Sequence, residues 1–60
     1  MNVKEAKGLA FGSKESESLE EYYGAWQWLY DNHVYLNVAD AAYMDKLICD
    51  GNVIADKIDK

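Results

Sequence analysis

The sequence predicts a mostly helical mini-domain: an antiparallel pair of helices, about 18–33 and 38–50, with a short N-terminal segment packed across them. Three observations point there. A capping box at Ser18 and Glu21 opens a broad apolar stripe at helical spacing. A second apolar face lies between Asn37, a good N-cap, and Gly51, a good C-terminal stop. Only the four residues Val34 to Asn37 separate the two, so the helices should be close neighbours.

Taken from the N-terminus, Asn2 with Glu5 is an N-x-x-E start signal, and Gly12 could close a short helix carrying Val3, Ala6, Leu9 and Ala10. Gly8 falls inside it, and a helix under about 12 residues is weak alone. Gly12 to Glu17 reads as a polar linker. In the next helix Glu20 and Glu21 occupy the first turn, where the dipole favours negative charge. Leu19, Tyr22, Tyr23, Trp26, Leu29, Tyr30 and His33 share its stripe. Gly24 weakens it by about 1 kcal/mol relative to alanine and suggests close approach of another backbone. In the following helix Ala41, Met44, Leu47 and Ile48 share a face, with Lys46 in the last turn. After Gly51, Val53, Ile54 and Ile58 read as a short strand or a final helical turn. The α+β alternative pairs Gly8–Phe11 with Asn52–Ala55 as a terminal hairpin.

Sixty residues make a single domain, with 1–17 as N-terminal segment and linker, 18–51 as helical core and 52–60 as tail. A chain this short buries only about 60% of the surface its unfolded form exposes. Small domains recover stability from disulfides, metals or partners. Cys49 is the sole cysteine and His33 the sole histidine, so neither an internal disulfide nor a closed zinc site is expected. No cofactor is expected either. A protein partner or a homodimer is the remaining source of support. No apolar run approaches about 18 residues, and no signal-peptide pattern opens the chain. A free thiol suits a reducing cytoplasm, the expected location.

Charge narrows the partner. The formal net charge is -5, all six cations are lysines, and arginine is absent. Between Glu15 and Asp45 stand seven carboxylates, seven of the eight aromatic rings, and no lysine or arginine. Such a stretch suits a basic protein surface and repels phosphates and anionic membranes. Direct nucleic-acid and membrane binding are therefore not expected.

Trp28 is the most pointed residue of that stretch. At about 100° per residue it lies opposite Leu19, with Glu21, Gly24, Ala25 and Asn32 beside it. A tryptophan there with acids around it reads as an interface anchor. The candidate binding residues are Trp28, Glu17, Glu20, Glu21 and Asp31, a field rather than a point site. The bland reading is that terminal segments cover Trp28 and the acids are merely solvated. His33 reads as a packing or capping residue at the helix end, and Cys49 as a small buried or interface residue. No nucleophile–base pair, phosphate loop or poised carboxylate pair is present, so no enzyme is expected.

The run Ala25-Trp26-Gln27-Trp28-Leu29-Tyr30-Asp31, followed by Leu47-Ile48-Cys49-Asp50-Gly51-Asn52-Val53, resembles short uncharacterised proteins of tailed bacteriophages. The likeness covers about half the chain. What it implies is a phage or mobile-element origin, not a mechanism. The expected function is an acidic binding module that inhibits or redirects a host cytoplasmic protein, nucleic-acid mimicry included. The alternatives are a structural homo-oligomer or virion-associated part, and a helix-turn-helix-like regulator whose second helix has too few cations to hold DNA.

Overall fold

The computed structural model describes residues 1–55. It holds three helices, α1 (Val3–Phe11), α2 (Leu19–Asp31) and α3 (Val38–Cys49), and no strand among the described residues. The mostly helical class is as expected. The hairpin alternative fails because Gly8–Phe11 lies inside α1. Ile58, assigned to a strand or last turn, lies outside the described residues.

Each helix begins where a short polar side chain can take up an orphan backbone N–H. The Glu5 N–H donates to Asn2 Oδ1 at 2.8 Å, the Glu21 N–H to Ser18 Oγ at 3.2 Å, and the Asp40 N–H to Asn37 Oδ1 at 2.8 Å. Glu21 reaches back one residue further than a standard capping box. Its Oε1 accepts from the Glu17 N–H at 2.7 Å, tying the linker to the first turn of α2.

The helix ends divide by residue type. At α3, Gly51 takes the left-handed conformation (φ 82°), its N–H donates to Ile48 O, and the Asn52 N–H donates to Leu47 O. That is the Schellman pattern. α2 stops at Asp31, two residues earlier than expected, and repeats the pattern with an unusual residue. His33 holds φ 56°, its N–H donates to Tyr30 O at 3.2 Å, and the Val34 N–H donates to Leu29 O at 3.1 Å. So His33 ends the helix through its backbone while its side chain is exposed, rather than by extending the apolar stripe.

The most extensive backbone contact is between α1 and α2, not between α2 and α3. Small residues explain it: Ala6 and Ala25 are wholly buried and Ala10 nearly so, which lets the two helices approach closely. α3 meets α2 through long side chains instead. Trp26 takes the centre, with Phe11 packed edge-on at 5.5 Å and Tyr43 at 5.3 Å. Its indole N–H has no hydrogen-bond partner among the described residues, a loss of about 1–3 kcal/mol that its ring contacts must outweigh. Leu29, Met44, Leu47 and Val53 complete the core.

Val53 is buried although it follows the last helix. Beyond it the chain is clasped by Gln27. The Ile54 N–H donates to Gln27 Oε1 at 2.7 Å, and Gln27 Nε2 donates to Ile54 O at 3.2 Å and to Asp31 Oδ1 at 3.0 Å. One amide thus satisfies both backbone groups of Ile54. Tyr30 O–H adds a bond to Ala55 O at 3.1 Å.

Two glycines act differently from expectation or from each other. A Cβ at Gly24 would meet nothing within 4 Å, so no backbone among the described residues approaches there. A Cβ at Gly8 would lie 3.3 Å from Lys14 Cβ, because the linker folds back and the Lys14 N–H donates to Gly8 O at 2.9 Å.

Candidate functional site

The sequence-derived candidates fall at two ends of α2. Glu17, Glu20 and Glu21 cluster at its N-terminus, whereas Trp28 and Asp31 occupy its last turn, about 16 Å further along the axis for Asp31 measured from Glu20. They do not converge on one point. Glu21 is engaged with the linker and Asp31 with Gln27. Glu17 and Glu20 are exposed at the helix start, as free charge near a favourable dipole end.

Trp28 is half-buried and packs against the core. The reason is a rotation of the buried arc. Leu19, the reference for the apolar side, is 71% exposed, while Ala25 is sealed. Burial is centred between Trp26, Leu29 and Ala25, and this carries Trp28 from the outer face to the margin of the core. Cys49 corrects in the other direction: it is exposed, one step past Ile48 on the uncovered side of α3.

The rings are not sealed as a group. Tyr35 is 88% exposed, and Tyr43 stays open at its edge. The Tyr22 and Tyr43 hydroxyls are hydrogen-bonded at 3.1 Å, and Tyr43 keeps its proton in that contact. That hydrogen bond first, then partial burial, then the negative charge that Tyr22, Tyr23 and Asp50 would place nearby, push Tyr43 up to about 12. It stays protonated through the neutral range and is no general base there.

Position by position, α3 shows what periodicity had hidden. Val38, Ala41, Met44 and Ile48 recur every three or four residues along one stripe. The later half is covered: Met44 is buried and Ile48 partly so. The earlier half is open, with Val38 88% exposed and Ala41 exposed rather than in the core. Nothing among the described residues seals it. The result is a shallow groove of about 390 Å³ between the end of α2 and the start of α3. Leu29, Val34, Leu36, Ala41 and Met44 supply its apolar lining, and Tyr35, His33 and Asp45 stand at its rim.

A second concavity, about 650 Å³, lies on the outer side of α1 and carries Lys4, Lys7 and Lys14 beside Phe11. Three of the six lysines gather here with Glu5 among them, while Lys46 stands in the last turn of α3. The Lys14–Glu5 pair at 3.7 Å is exposed and adds little. Among the described residues no cluster of three or more His, Cys, Asp or Glu side chains could hold a metal ion, and no helix is long and apolar enough to cross a membrane. No family model, curated protein or solved structure matches the chain, so its own geometry is the guide to its role.

Proposed function

We propose that this chain is a binding module without chemistry of its own, encoded by a phage or mobile element, that docks on a basic host protein and blocks or redirects it. One observation carries the reading. Within a stretch of seven carboxylates and no lysine or arginine, Tyr35 and Val38 stand almost fully in solvent beside an apolar groove. Large apolar groups are held out of a core this small only at a loss of burial, and an exposed patch of that kind is a common mark of a contact surface. The surrounding negative charge favours a cationic partner, speeds encounter and disfavours phosphate.

The test is comparative capture in host cytoplasm. The wild-type chain retains a partner that a Tyr35→Ala, Val38→Ser double variant releases, and that moderate salt weakens. Equal capture by both chains, or capture insensitive to salt, refutes the reading. A structural homo-oligomer is distinguished by light scattering, where a stable assembly at micromolar concentration with no captured protein would replace the proposal.

A further inference from the structure

We infer that the groove between the end of α2 and the start of α3 is the seat, and that its occupant is a cationic amphipathic segment of another protein. The inference rests on the proposed binding role and names the partner's chemistry. The groove takes in part of the α3 stripe: Met44 is core and also lines it, Ala41 lines it in the open, and Val38, outside the lining, carries the stripe on into solvent. At about 390 Å³ it takes one or two aliphatic side chains, not a folded surface. Tyr35 stands at the rim as a rigid ring able to close over an inserted side chain, the role tyrosine plays at interface hot spots. A helix presenting aliphatic residues at spacings of three and four would match, as in other helix-in-groove recognition.

Charge decides the occupant. Asp45 lies at the rim, and the α2–α3 connection holds no lysine or arginine. A second copy docked through the same face about a two-fold axis would set Asp45 against its own counterpart and join two chains of net charge -5. A segment with lysines or arginines flanking its aliphatic anchors meets complementary charge instead.

The probe is a short synthetic peptide with leucines at helical spacing and lysines between them, titrated into the full isotope-labelled chain and followed by amide chemical shifts. A lysine–serine peptide of equal charge is the control. The expected shifts gather at Leu29, Val34–Leu36 and Ala41–Asp45, and the control binds at least tenfold more weakly. Ala41→Glu and Asp45→Lys, both at exposed positions that leave the core intact, weaken the leucine–lysine peptide by different routes. Asp45→Lys lowers it about tenfold by reversing the rim charge, and Ala41→Glu drives the leucines out while the lysine–serine peptide binds no worse. Equal binding of both peptides overturns the inference. So does a shift pattern centred on Glu17–Glu21, although an acidic docking surface would then still stand. Self-association that moves the same amides without peptide makes a second copy the occupant and overturns it as well. If neither peptide binds, the inference and the binding role both fall.

Discussion

Replacing Gly24 with alanine should stabilise the chain, and the size of the gain can be worked from the structure. Gly24 is the sixth of thirteen residues in α2, exposed, with open space where a Cβ would stand. A glycine inside a helix is about 0.8–1.0 kcal/mol less favourable than alanine, mostly through the freedom it keeps when unfolded. No clash offsets that term here. For a domain of this size about 1 kcal/mol raises the midpoint of thermal unfolding by roughly 4–8 °C. Gly8→Ala is the internal control. The same helical gain is opposed there by Lys14 Cβ at 3.3 Å, on a linker already fixed by its hydrogen bond to Gly8 O. Its change should be smaller than that of Gly24→Ala, or negative. Thermal and urea melts followed by circular dichroism measure both. A neutral or destabilising Gly24→Ala would show that something packs on that face, and a concentration-dependent melt would identify it as another copy. The variant also separates the two surfaces. If Gly24→Ala is more stable yet loses its partner, the outer face of α2 makes the contact, and the groove does not.

Three further outcomes are expected. Tyr43, raised to about 12 from an ordinary value near 10, should titrate late in ultraviolet absorbance, and Tyr22→Phe should bring it down towards that ordinary value. Because the folded state holds this proton more tightly than the unfolded chain, its contribution to stability is whole below about pH 10 and is lost as pH rises towards 12. His33→Gly should stabilise by about 1 kcal/mol, since φ 56° strains any residue with a Cβ, and an unchanged urea midpoint would count against that strain. Trp26→Ala should cost about 3–5 kcal/mol and unfold much of the population, whereas Trp28→Ala, at the core margin, should keep a cooperative transition with a smaller loss. Equal collapse of both variants would make Trp28 part of the core and remove it from the contact surface.

Local signals in the sequence are legible where a side chain speaks to its own backbone. Asn2, Ser18 and Asn37 each cap the helix they were expected to open, and Gly12 and Gly51 both take the left-handed form. His33 was harder to read, because only glycine or asparagine usually marks such a stop. Long-range features left less trace. Alanines carry little weight in an apolar pattern, yet Ala6, Ala10 and Ala25 set which helices come together and turn Trp28 towards the core. Gln27 had no sequence feature to mark it as the clasp of a segment 27 residues away.

The groove leaves no mark in the sequence for a related reason, and that reason bears on function. Periodicity states which residues share a face, but not whether another element covers that face. Spacing therefore groups Ala41 with Met44 and Leu47, although only the latter two are sealed. The closest helix pairing is α1 on α2, and the start of α3 stays bare. Adding another turn to α1 would not cover it, since α1 packs on α2 through alanines rather than along α3. The exposed half-stripe follows from how the three helices divide the core, and a partner that supplies the missing face would bury Val38 and Tyr35 and stabilise the fold in the same step.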